Sequence, residues 1–196
     1  MQNVRELYEW IHQQVAPVME NLDQAQMEAA VLAICGAKRI FVAGMGRTGY
    51  MMRALAMRLM QMGLDTHMIG DTDTPCAYEG DLLIIGSGSG ETESLKGYAA
   101  KAHKLGVKVL VLTGHTDSTL GRTADLAVAI PLNEETCKDT TGAIRVRETG
   151  NHGDTMLLGS KSELCTMLTG EMLVMMTFQQ LGVSQADMLR RHACFE

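Results

Sequence analysis

The stretch "DLLIIGSGSGET", Asp81 to Thr92, decides how this chain is read. Leu82 to Ile85 form a short apolar run, bounded by an acid and a glycine, which suits a buried strand. The chain then passes through Gly86, Ser87, Gly88, Ser89 and Gly90, with no side chain larger than a hydroxymethyl group. An acidic, helix-compatible segment begins at once. A strand that reaches a helix through such residues leaves its backbone N–H groups open to close approach by a ligand.

The same grammar recurs outward from this point. "RIFVAG" (39–44) reads as a strand, and "TGYMMRALAMRLMQMG" (48–63) as a helix closed by Gly63. "THMIG" (66–70), "KVLVLTG" (108–114) and "DLAVAIP" (125–131) supply further strands. Helices fit at 91–105, ending before Gly106, and at 117–123. Strand-loop-helix alternation of this kind implies a parallel sheet covered on both faces. Two helices precede it. One spans 3–21 and is disturbed near Pro17; the other opens on Asp23 as N-cap, with Gln26 three residues on in the capping-box position, and ends near Gly36. After Pro131 the pattern breaks into a polar loop, 132–154, followed by a long helix, 155–181, and a short one, 184–191. With no repeat, linker or low-complexity tract, residues 1–196 read as one domain: helical 1–37, sheet core 38–131, and loop with C-terminal helices 132–196.

Composition removes several function classes. The formal net charge is -6 and no Lys/Arg cluster occurs, which argues against a nucleic-acid surface. Five cysteines, an odd number with no C-x-x-C pair, argue against a disulfide framework or a zinc site and for free thiols in the cytoplasm. His12, His67, His103, His115 and His152 show no metal-like spacing. No apolar run approaches a membrane span and no apolar signal core opens the chain. The 16 methionines suit flexible core and interface packing, and "MLVMM" (172–176) suggests a subunit contact, hence a homo-oligomer.

In a parallel sheet, ligands bind beyond the carboxyl ends of the strands. Two glycine-rich loops stand there: "GMGRTG" (44–49) and the opening "GSGSGET" (86–92). Each leads into a helix, and Thr48, Ser87, Ser89 and Thr92 add hydroxyls, so the pair makes an anion site. The plain alternative is a pair of tight turns. A sharper one is a dinucleotide fingerprint, since Gly44, Gly46 and Gly49 satisfy G-x-G-x-x-G and Asp71 follows the next strand, placed for a ribose. That reading leaves "GSGSGET" without a task, whereas a small phosphorylated ligand uses both loops. No G-K-[ST] follows either loop, which excludes a Walker P-loop.

Taken together, "GMGRTG", "AMRLMQMG", "IIGSGSGET", "RET" (147–149), "GSKSE" (159–163) and "RHACFE" (191–196) resemble the sugar-isomerase (SIS) domain family, and within it the 6-phospho-3-hexuloisomerases. The resemblance implies a flavodoxin-like three-layer α/β sandwich on a five-stranded parallel sheet, with extra N- and C-terminal helices, assembling as a homodimer or homotetramer. It implies a sugar phosphate as ligand, with the phosphate cradled by Ser87, Gly88, Ser89 and Thr92. Gly46, Arg47 and Thr48 would approach from the first loop, Arg47 neutralising phosphate or enediolate charge. Glu163 matches the glutamate of the family's G-S-x-x-E patch and would be the base; His192 matches the terminal R-H-A patch and would assist at the oxygens, in its own or a neighbouring subunit. The reaction implied moves a carbonyl from C3 to C2, from 3-hexulose 6-phosphate to fructose 6-phosphate, through an enediolate, with no cofactor and no metal. The plain readings are a dipole-stabilising carboxylate at a helix start for Glu163, a surface histidine for His192 and a solvated loop cation for Arg47. Two other functions fit the phosphate loop: an isomerase of the arabinose-5-phosphate type, and a sensing module needing neither Glu163 nor His192. The chain departs from the family pattern in its longer "GNHGDTMLL" link and in Leu164 and Cys165 after Glu163.

Overall fold

The computed structural model describes residues 3–132 and 156–194. Strands β1 (Ile40–Gly44), β2 (Thr66–Met68), β3 (Leu82–Gly86), β4 (Lys108–Thr113) and β5 (Leu126–Ala129) form one sheet. Its order is β2-β1-β3-β4-β5, and every pairing is parallel. Residue alternation splits the core in two. Ile40, Val42, Leu82, Ile84, Leu110 and Leu112 face one side; Phe41, Ala43, Leu83, Ile85, Val109 and Val111 face the other. A sheet apolar on both faces needs helices on both.

The first face is covered by α1 (Val4–Glu20), α2 (Gln24–Gly36), α3 (Gly46–Gln61) and α6 (Ser160–Leu181), the second by α4 (Glu93–Lys104) and α5 (Thr119–Thr123). The result is the expected three-layer α/β sandwich. α6 packs against α1, α2 and α3 together. A short α7 (Gln185–Arg190) follows, beside α3. The chain runs from β1 outward to β2, returns to β3 beside β1, and then builds in the opposite direction. That reversal opens a crevice at the carboxyl ends of β1 and β3.

Several boundaries differ from the sequence expectation for physical reasons. α3 begins at Gly46 rather than Thr48, so Arg47 and Thr48 are first-turn residues. The long helix begins at Ser160, after one 3-10 turn at Leu157–Gly159. Pro17 does not interrupt α1: it lies in the last turn, where Asn21 Nδ2 donates to its carbonyl at 2.7 Å. Asp23 does cap α2, accepting from the Gln26 N–H at 2.8 Å. Gln26 completes no capping box, because its Oε1 accepts the Ala129 N–H at 2.8 Å and ties α2 to β5. The predicted loop 132–154, with "RET" and His152, falls almost wholly outside the described residues.

Candidate active site

The crevice is built where three helices begin. α1, α2, α5 and α7 each start with a side-chain cap, from Asn3, Asp23, Ser118 and Ser184. α3, α4 and α6 start with none. Their first-turn N–H groups are left to other partners, and each helix adds the positive end of its dipole.

Contacts show that these three starts meet. Arg47, in the first turn of α3, reaches the first turn of α6: its Nη1 lies 3.4 Å from Ser160 Oγ, and its Nε lies 3.2 Å from Glu163 Oε2. The β3–α4 loop touches both. A Cβ on Gly86 would sit 2.5 Å from Met52 Sδ and 3.3 Å from Thr48 Cγ2. A Cβ on Gly88 would sit 2.4 Å from Ser162 Oγ. Much of the glycine content is therefore explained by packing, with α3 lying against the β1 and β3 ends and α6 against the loop. The small residues of the loop thus do two things: they admit neighbouring helices and they leave amides free.

The predicted hydroxyls also hold the loop. Ser87 is 4% exposed and its Oγ accepts the Gly90 N–H at 3.1 Å. Ser89 Oγ accepts the Glu91 N–H at 3.2 Å. Each hydroxyl accepts there and keeps its own hydrogen to donate. Thr92, the N-cap residue of α4, makes no capping bond; its Oγ1 lies 3.4 Å from Ser87 Oγ. Gly90 adopts φ +64 with Ser118 Oγ close against it, a position closed to any larger residue. Glu91 anchors the loop's far end: its carboxylate accepts the Thr119 N–H at 2.7 Å and pairs with Lys96 at 3.3 Å. The backbone bond to Thr119 is the main reason its pKa lies below the usual carboxylate range.

Glu163 has an unusual surrounding. Its side chain is 13% exposed, and Oε2 is closed to solvent. Arg47 is near in distance, but no donor aligned as a hydrogen bond reaches that oxygen among the described residues. A shielded carboxylate oxygen with no aligned donor is an exception among buried polar groups and calls for a functional explanation. Cys165, by contrast, is fully buried; burial pushes its pKa up to about 11, so it packs as a thiol.

His192 is not brought to this place. Arg191, its neighbour, lies against Gly63, where a Cβ would be 3.0 Å from the guanidinium carbon. Gly63 is past the C-terminal end of α3, whose 16 residues span roughly 24 Å from Arg47's end. Nor is Asp71 available for a ribose, since Arg53 holds both its oxygens, at 2.9 and 3.1 Å. Among the described residues no group of three His, Cys, Asp or Glu is arranged to hold a metal, and no helix is long and apolar enough to cross a membrane.

Sequence reasoning missed Ser160, Ser162 and Glu91 as parts of the site. The signal for the serines was present in "GSKSE", where hydroxyls flank the candidate base. Glu91 carried none, because its partner Thr119 lies on another element.

A doubly wound parallel sandwich with hydroxyls and uncapped helix starts at its crevice defines the class: an α/β protein whose crevice suits a small anionic ligand. Residues 33–147 match the SIS domain model, and the chain belongs to the SIS domain family. It is 37% identical to a 3-hexulose-6-phosphate isomerase of Bacillus subtilis over 83% of this chain and 83% of the relative. A Mycobacterium gastri protein of the same name is 33% identical over 95% of this chain and 88% of its own. A Methanococcus jannaschii protein, whose crystal structure was taken to infer a 3-hexulose-6-phosphate isomerase function, shares the fold with a TM-score of 0.78. It covers 97% of this chain and 99% of its own at 24% identity.

Proposed function

We propose that this chain is a cofactor-independent phosphosugar isomerase that interconverts 3-hexulose 6-phosphate and fructose 6-phosphate. The observation that carries the reading is the junction of base and cradle: Ser162 lies against Gly88 of the loop, and the next residue, Glu163, presents its unfilled oxygen beside Arg47. The family membership and the named relatives support the same reaction.

In this reading the phosphate sits on the 86–92 loop and the α4 start, receiving hydrogen bonds from Ser87, Ser89, Thr92 and backbone N–H groups. Gly46 and Thr48 border it from α3. Glu163 takes the proton from C2 of the 3-ketose. The C2–H electron pair becomes the C2=C3 bond, and the former carbonyl oxygen on C3 carries the developing charge, which Arg47 offsets. Glu163 then returns the proton to C3. The hydroxyl proton on O2 leaves as the C2 carbonyl forms, and O3 gains one. His192 of a neighbouring copy handles that oxygen exchange, because its own copy lies along the far end of α3. The unit at work is residues 1–196 as one SIS domain in a cytoplasmic homodimer or homotetramer. The exposed Leu168, Met172 and Met175, on one stripe of α6, support such an assembly.

The test is turnover of 3-hexulose 6-phosphate by wild type and Glu163→Gln, with ligand-induced thermal shift as the binding measure. Loss of turnover by roughly 10²–10⁴-fold, with binding retained, is expected. Binding without turnover in the wild type would favour the sensing module; turnover only of arabinose 5-phosphate would favour the other isomerase type.

A further inference from the structure

The loop that receives the phosphate carries a negative charge of its own. Glu91 stands between Ser89, which is exposed, and Thr92, which is half-buried. A carboxylate in that place repels an anionic ligand unless something holds it elsewhere. Two donors hold it. Oε1 accepts the Thr119 N–H at 2.7 Å, and Oε2 lies 3.3 Å from Lys96 Nζ, which also pairs with Glu93 at 2.7 Å. The carboxylate is thus drawn toward α5, on the second face of the sheet.

The starts of α4 and α5 are used in opposite ways. The first three N–H groups of α5 are all taken within the protein. Thr119 donates to Glu91, Leu120 to the Gly90 carbonyl at 3.1 Å, and Gly121 to Ser118 Oγ at 3.1 Å. The start of α4 has no side-chain cap. So α5 grips the loop, at the adjacent residues Gly90 and Glu91, and α4 is left for the ligand. Gly90 is gripped by its backbone, Glu91 by its side chain. The Glu91 N–H in turn donates to Ser89 Oγ at 3.2 Å, and Thr92 is the next residue. A displaced Glu91 therefore moves two hydroxyls of the cradle at once.

We infer that Glu91 is a positioning residue of the phosphate cradle: its carboxylate, bonded to the Thr119 N–H, holds Ser89 and the start of α4 in the geometry that receives phosphate. It touches no ligand atom itself. The inference rests on the isomerase reading of the site. It adds that the loop is ordered before the ligand arrives, so that binding does not bear the cost of ordering it.

The experiment breaks the same bond from either end. Glu91→Ala removes the acceptor. Thr119→Pro removes the donor at the first position of α5, where a helix accepts proline. Ser118 before it is extended, at φ -67 and ψ 170, as a residue preceding proline must be. Glu91→Gln keeps an acceptor oxygen and loses the charge. KM and kcat on 3-hexulose 6-phosphate are measured well below each melting temperature. Glu91→Ala and Thr119→Pro should each raise KM about tenfold, the worth of one hydrogen bond, with kcat little changed. Mere loss of stability would instead remove active enzyme, lowering apparent kcat and leaving KM alone. The combined variant should be no worse than either alone, because both act through one bond. Glu91→Gln should recover most of the KM. A wild-type KM in Glu91→Ala overturns the inference, as does a fall in kcat alone. Additive effects in the combined variant also overturn it, by giving the two residues separate roles. A Glu91→Gln chain as impaired as Glu91→Ala removes the Thr119 bond as the anchor. If Glu91→Ala does not fold, Thr119→Pro is read by the same KM criterion. A wild type that neither binds nor converts any sugar phosphate sinks the isomerase reading, and this with it.

Discussion

A methyl group on Gly88 would come within 2.4 Å of Ser162 Oγ, far inside contact distance. Ser162 Cβ would be 3.4 Å away, so the strain falls on the hydroxyl, which must swing aside. Gly88→Ala should therefore cost about 1 kcal/mol, the low end for overpacking, and weaken sugar-phosphate binding by crowding the cradle. Adding Ser162→Ala should restore the melting temperature, since the obstructing atom is gone. A double-mutant cycle on thermal melts measures this, and simple additivity would count against the contact. At this scale the sequence was only half legible. Ser87, Ser89 and Thr92 could be read because they follow a strand and precede a helix. Their local bonds to Gly90 and Glu91 could not, nor could Ser162 and Gly114. Those two reach the loop only after α6 and β4 have been laid beside it, and no local spacing encodes that approach.

Elements were easier to read than their ends. Strands announced themselves by branched apolar runs and helices by closing glycines such as Gly63, which adopts φ +95 just beyond the end of α3. The starts of α3, α4 and α6 were harder, because helices without a side-chain cap lack the signature residue that marks a start. That missing signature is itself informative, since it falls on the helices that border the crevice. Glu91 shows how elements are joined there: one carboxylate spans the loop, the α5 start and Lys96 of α4. Its folded pKa is depressed. The stability it supplies is therefore full above the ordinary glutamate value of about 4.3 and is lost as pH falls through the lower folded value. Melts of wild type and Glu91→Gln should differ at pH 7 and converge as the pH drops through the acid range. A gap that stays constant into acid would deny the charge its part.

For the whole molecule, layer order and sheet topology were legible, because alternation within each strand dictates two covered faces. Where the C-terminal segment docks was not, since nothing in "RHACFE" encodes Arg191 lying on Gly63. That docking separates His192 from Glu163 within one chain and makes a composite site testable. If each site takes Glu163 from one copy and His192 from another, Glu163→Gln and His192→Gln chains, each inactive alone, should complement when unfolded and refolded together. A symmetric dimer of random composition regains about one quarter of wild-type activity, since half the dimers are mixed and each has one intact site. No recovery, with mixed dimers present by native mass spectrometry, would assign both groups to a single chain or remove one from the reaction.

The bond from Gln26 to Ala129 has a consequence for how copies can meet. β5 ends the sheet on one side, and a strand with open N–H groups invites another chain to extend it. Gln26 occupies the last outward donor of β5, and β2, which ends the sheet on the other side, is only three residues long. Among the described residues, both borders are thus blunted against strand addition. A second copy meeting the helical surfaces, where the exposed methionines of α6 lie, therefore competes less with growth of the sheet.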